Sequence, residues 1–204
     1  LDDILIVYAG RIALEKNLPF LIDSFNGIAN AIPNVHLILI GGGVQQYEEE
    51  IRDLVKAQSN SDRIHMTGRV PYDQLPAYLA MCDIFATASI TEVHPLSVIE
   101  AMGAGLPVMG IESVGVGDTV EDGITGFLAT YDMPSFTAKL TRLCLDPNLR
   151  QQMRLSAREV STVYAIERTT GLMLEKYERL ANQETTRKGT INTRLREILE
   201  RFLT

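Results

Sequence analysis

Two hydrophobic patterns alternate along the 204-residue chain. Short apolar runs, ILIVYA at Ile4 to Ala9 and VHLILI at Val35 to Ile40, read as parallel strands covered on both faces. Shorter runs at Ile64 to Thr67, Ile84 to Thr87 and Val108 to Ile111 read the same way. Between them apolar residues recur at helical spacing. Phe20, Leu21, Phe25, Ile28 and Ala29 predict a helix over Leu18 to Ala31. Ile51, Leu54 and Val55 give a polar helix over Gln46 to Gln58 its inner face, and Tyr72 to Met81 forms a third. Amphipathic helices follow over Met133 to Leu145, Asn148 to Val163 and Ile166 to Asn182, the first two separated by Asp146-Pro147. This alternation predicts an α/β fold, a doubly wound parallel sheet with extra C-terminal helices. Ligands of such sheets bind beyond the carboxyl ends of the strands.

The stretch Thr91 to Val108, TEVHPLSVIEAMGAGLPV, reads as loop, helix, turn and strand. Pro95 suits the first helical turn, and Leu96, Ile99, Met102 and Gly103 fall on one face. Gly105 and Pro107 end the helix. Glu92 precedes the helix and Glu100, eight residues on, lies within it. A helix start offers free N–H groups and a positive dipole end, so a diphosphate is expected there. Glu92 and Glu100 would hold hydroxyls on either side of it. The plainer reading makes Glu100 a solvent-facing residue of an ordinary loop–helix–strand unit. Against that, Glu100 sits within the run Leu96, Val98, Ile99, Ala101, Met102, and a buried carboxylate demands a partner.

Other candidate chemistry also follows predicted strands. Gly10 and Arg11 end the first strand, and Lys16 lies five residues beyond Arg11, so two cations share a loop able to clamp phosphate. Gly41-Gly42-Gly43 ends the second strand without matching G-x-G-x-x-G, and reads as a tight turn that lets a ligand come close. Gly68-Arg69-Val70-Pro71 follows the third.

Composition narrows the classes. The chain is 46% apolar and 22% charged with a net charge of −7, an ordinary globular profile and a poor one for binding nucleic acid. No apolar run approaches the ~20 residues of a membrane span, and no signal-peptide pattern opens the sequence. Cytoplasmic location is therefore expected. Cys82 and Cys144 sit in apolar contexts and read as buried free thiols, with a bridge left open. His36, His65 and His94 are far apart and form no ligand motif, and no metal site is expected.

The pattern E-x7-E followed by A-M-x-x-G-x-P-V resembles a signature of the retaining glycosyltransferases of GT-B fold, above all the large "group 1" family. G-R-x-x-x-x-K at Gly10 to Lys16 is similar to that family's second signature. EDGITGFL, Glu121 to Leu128, resembles its D-G-x-T-G-x-L turn before the last strand. The resemblance covers about Ile4 to Leu180. It implies a Rossmann-like donor-binding domain for nucleotide sugars, UDP- or GDP-linked. By the same resemblance Glu92 contacts the donor sugar, Glu100 the ribose, and Arg11 and Lys16 the diphosphate. His94 and Pro95 stand where the family usually has an aromatic–glycine pair. Pro95 has no N–H to give, so the helix-start contact is expected from Leu96 and Ser97. The Arg69–Val70 loop is expected at the base, partly through backbone atoms at Val70. The glycine-rich segment from Gly115 reads as mostly structural, able to line the sugar pocket.

The implied reaction is hexosyl transfer with retention, its leaving diphosphate stabilised by Arg11, Lys16 and the helix start. No D-x-D occurs, so neither metal nor other cofactor is called for. Glu92 is assigned to orienting the sugar, not to nucleophilic attack. A GT-B enzyme has two such domains, and the stretch resembles the C-terminal one, so a fragment lacking its N-terminal acceptor-binding domain is expected, able to bind donor but not to transfer sugar. An epimerase or phosphorylase of the same fold, and a non-catalytic sugar-nucleotide-binding or docking module, remain alternatives. A dehydrogenase is disfavoured by the poor glycine fingerprint. Residues 1–183 are read as the donor-binding domain and 184–204 as a linker and amphipathic helix. The tail carries five basic and three acidic residues, which suits packing on another domain and leaves peripheral membrane association of a full enzyme open.

Overall fold

A computed structural model describes residues 3–181. Six strands alternate with helices: β1 (Ile4–Ala9), α1 (Leu18–Ala29), β2 (Val35–Ile40), α2 (Gln45–Ala57), β3 (Ile64–Gly68), α3 (Leu75–Ala80), β4 (Ile84–Ala86), α4 (Leu96–Ala104), β5 (Val108–Ile111), α5 (Val116–Thr119) and β6 (Gly126–Ala129). Two helices follow, α6 (Met133–Leu145) and α7 (Pro147–Ser161). The sheet order is β3-β2-β1-β4-β5-β6, with every neighbouring pair parallel. The chain winds outward from β1 to β3, then returns to lay β4 on the free side of β1, Ile6 opposite Ile84 and Val7 opposite Phe85. The topological switch point therefore lies between β1 and β4, where the following loops diverge.

Alternation along the strands builds two cores. Ile6 and Tyr8 of β1 face a core completed by α1, α2, α6 and Met153 of α7, while Val7 and Ala9 face one completed by α3, α4, α5 and Ala157 of α7. Asp132 and Asp146 cap α6 and α7, each accepting from a backbone N–H at 2.9 Å, and a proline stands in the first turn of both helices. Both cysteines are free and buried, and burial pushes their thiols up to about 12.

Three local expectations change. The helix expected over Tyr72 to Met81 is a 3-10 turn, Tyr72–Gln74, followed by α3. Pro76 stands in the first turn of α3, where its missing N–H costs nothing, so the α-helix begins there. In α4 the buried row is Val98, Ala101 and Met102, whereas Leu96 is 61% exposed and Gly103 is also exposed. Met102 is the one residue of the expected face that is fully buried, and Ile99 is half-buried. The face is rotated because α4 packs against α7 as well as the sheet, and Leu96 sits at the helix's free end. The short helix α5 also lies where only a glycine-rich loop was expected.

The described residues fall into two compact units, one running to Thr162 and one beginning at Val163. In the second, residues 166–181 are helical. The linker and amphipathic helix expected over 184–204 lie outside the described residues. No described helix is long and apolar enough to cross a membrane.

Candidate functional site

The candidate residues lie on loops at the carboxyl ends of β1, β3 and β4 and on α4. Their placement starts with glycines. Beyond β1 and β2 the chain keeps pairing: Gly10 N–H donates to the Ile40 carbonyl at 3.0 Å and Ile12 N–H to that of Gly42 at 3.1 Å. A Cβ on Gly41 would lie 1.8 Å from the Gly10 carbonyl oxygen, and one on Gly43 1.9 Å from that of Ile12. Gly41 and Gly43 thus admit the chain's own β1 loop. Tyr8 supports that loop from below, its phenol donating to the Arg11 carbonyl at 2.7 Å. Burial, helped by the charges of Glu92 and Glu15, holds the Tyr8 pKa far above its ordinary value, so it remains a donor.

Over this backbone floor opens a cavity of about 600 Å3 lined by Gly10, Arg11, the three glycines, Arg69, Val70 and Tyr72. Arg11 is largely exposed and pairs with Glu15 at 2.9 Å. Arg69 lies against Gly42, where an added Cβ would come within 2.8 Å of its Nε.

Lys16 is placed differently. It ends the 3-10 turn Leu14–Lys16, and its ammonium pairs with Glu92 Oε1 from the loop after β4. The side chains are only 14% and 16% exposed, so this ion pair spans the switch point in a largely dry setting. Asn17, in the left-handed conformation (φ 49°), turns the chain from there into α1. The two loops are stitched further: Ser89 Oγ donates to the Glu15 carbonyl at 3.2 Å, and Ile90 N–H to the same oxygen at 3.4 Å. From the other side Gly115 (φ 84°) packs on the Glu92 backbone, where a Cβ would lie 2.4 Å from the carbonyl oxygen. The Asp118 carboxylate accepts from Gly115 N–H at 3.2 Å and fixes that turn.

The start of α4 is shaped by Pro95, whose φ of −81° and ψ of 77° form an inverse γ-turn. Leu96 N–H donates back to the exposed His94's carbonyl at 2.9 Å, and Val98 and Ile99 N–H donate to that of Pro95. Of the two expected helix-start donors, Leu96 is thus engaged within the turn. Ser97 N–H has no backbone partner among the described residues.

Glu100 lies apart from the Lys16–Glu92 pair. It is half-buried on α4 and lines a second cavity, of about 410 Å3, between α3 and α4. Its Oε1 accepts from the Tyr72 phenol at 2.6 Å. Tyr72 lines both cavities and was not singled out by the sequence. The signal available was weak, one aromatic two residues beyond Val70 in a polar segment.

Away from these loops, strand pairing brings together two histidines that are distant in sequence. His36 Nδ1 and His65 Nε2 lie 3.1 Å apart on β2 and β3. No cluster of three or more metal-binding side chains occurs among the described residues.

Comparison with known proteins identifies the family and the fold. Residues 1–160 match the family model described as glycosyl transferases group 1. Sulfoquinovosyl transferase SQD2 of Arabidopsis thaliana is 30% identical over 164 residues, 78% of this chain and 30% of that protein. Sucrose-phosphate synthase from Thermosynechococcus elongatus superimposes with a TM-score of 0.81 at 25% identity, over 88% of this chain and 46% of that one. Anabaena HepE in complex with UDP and glucose does so with a TM-score of 0.75 at 23% identity, over 86% and 49%. The chain spans less than half the length of each of these proteins. Its parallel Rossmann-like sheet is that of the GT-B glycosyltransferases, and the chain belongs to the group 1 glycosyltransferase family.

Proposed function

We propose that this chain is the donor-binding half of a retaining, metal-independent glycosyltransferase that takes a hexose from a nucleotide diphosphate sugar. The observation that carries the reading is the Lys16–Glu92 pair, which holds a cation and a carboxylate side by side at the switch point. In the liganded site Lys16 exchanges Glu92 for diphosphate oxygens, which frees the Glu92 carboxylate for hydroxyls of the donor sugar. Arg11 and the Ser97 N–H at the positive end of α4 add to the field in which the leaving diphosphate gains charge. The cavity of about 600 Å3 holds the base, with backbone contacts at Val70 and the Arg69 side chain over Gly42. Glu100 accepts hydroxyls of the ribose.

The UDP and glucose bound by HepE, and the family's membership, support a nucleotide sugar as the ligand. The greater length of the relatives supports an acceptor-binding domain in the complete enzyme, so this chain alone binds donor without transferring sugar. The test is calorimetric titration of the chain with UDP, GDP and ADP and with their glucose or mannose conjugates, repeated on Arg11→Ala and Glu100→Ala. Saturable binding of one nucleotide, weakened in both variants, is expected. Binding unaffected by either variant would reject the site.

A further inference from the structure

Tyr72 is the hydrogen-bond partner of the Glu100 carboxylate among the described residues. The carboxylate sits at the end of a flexible side chain beside a hollow walled mainly by Leu75, Leu79 and Ala104. Arg158, the cation on that wall, is directed elsewhere, donating to the Ala104 carbonyl at 3.2 Å. Among the described residues the Tyr72 phenol alone therefore fixes the carboxyl group in space. Its bond to Glu100 raises its own pKa, so it stays protonated and donating at neutral pH. An ionised carboxylate has about four acceptor positions, and Tyr72 occupies one, on Oε1. Both oxygens keep capacity for a neighbouring pair of hydroxyls. The Tyr72 ring also stands at the boundary of the two cavities, so a nucleoside with its base in one and its sugar on Glu100 must pass beside it.

We infer that Tyr72 is a positioning residue of the nucleoside subsite: it holds the Glu100 carboxylate in the orientation that accepts a ribose cis-diol, and so sets a preference for ribonucleotides over 2′-deoxyribonucleotides. The inference rests on the donor-site reading.

The chain is titrated calorimetrically with UDP against 2′-deoxy-UDP and with GDP against 2′-deoxy-GDP, as wild type, Tyr72→Phe and Glu100→Gln. Tyr72→Phe keeps the ring and removes only the donor. The wild type should favour the ribo form of its nucleotide on the order of tenfold, the worth of a hydrogen bond to a charged group. Tyr72→Phe should shrink that ratio to about threefold or less, and Glu100→Gln should do the same. A preference unchanged in Tyr72→Phe, or an equal loss of affinity for both forms, overturns the inference while leaving the donor site standing. A wild type that binds none of UDP, GDP and ADP overturns both.

Discussion

Lys16 and Glu92, 76 residues apart in sequence, form a largely buried ion pair that ties the loop after β1 to the loop after β4. The pairing follows from topology, because β4 returns to lie against β1 and their carboxyl ends emerge side by side. Removing one partner leaves the other charge poorly solvated. Lys16→Ala is expected to destabilise the chain by about 3 kcal/mol, measurable by urea denaturation. The double variant Lys16→Ala/Glu92→Ala should be less destabilised than the sum of the two single changes.

The β1–β2 loop contact depends on glycine at two positions. Gly41→Ala and Gly43→Ala drive a Cβ onto a backbone carbonyl and should each cost about 3 kcal/mol or more. Gly117→Ala meets nothing within 4 Å, and in the short helix α5 it should be neutral or slightly stabilising. Thermal denaturation of the three variants ranks them directly.

The rotated face of α4 gives a third expectation. Met102 is fully buried, so Met102→Ala should cost about 2–5 kcal/mol, whereas Leu96→Ala at an exposed position should stay within about 0.5 kcal/mol. Equal effects at the two positions would argue against the observed packing.

The His36–His65 pair makes stability depend on pH. Partial burial and the facing His36 hold the His65 pKa below its ordinary value of 6.5, against a smaller opposing effect of Asp62. The unfolded chain therefore takes up a proton that the folded chain resists. The stability is fully present above about pH 6.5 and is lost as pH falls from there through the lowered pKa of the folded state. The denaturation midpoint of the wild type should drop between pH 7.5 and 5.5 by more than that of His65→Gln.

Much of this was legible in the sequence because the patterns involved are local. Unbroken runs such as ILIVYA mark strands buried on two faces, and the glycine, arginine, lysine and glutamate spacings mark the loops beyond them. What was not legible depends on register and on contacts across the sheet. The Lys16–Glu92 pair requires knowing that β4 lies against β1. The role of Gly41 and Gly43 requires the β1 loop to run on beside them. The buried face of α4 cannot be read from its own period because α7, distant in sequence, covers part of it. Tyr72 escaped notice because a single aromatic on a 3-10 turn carries no period, and its partner Glu100 lies 28 residues away.

The most direct test of the account is whether Lys16 reads a diphosphate. The wild-type chain and Lys16→Ala are titrated with uridine and UDP, and with guanosine and GDP, at constant salt. The account predicts that the wild type binds the diphosphate of its base more tightly than the nucleoside by at least tenfold, and that Lys16→Ala loses most of this advantage. Equal affinity for nucleoside and diphosphate in the wild type, or an advantage that survives in Lys16→Ala, would contradict it.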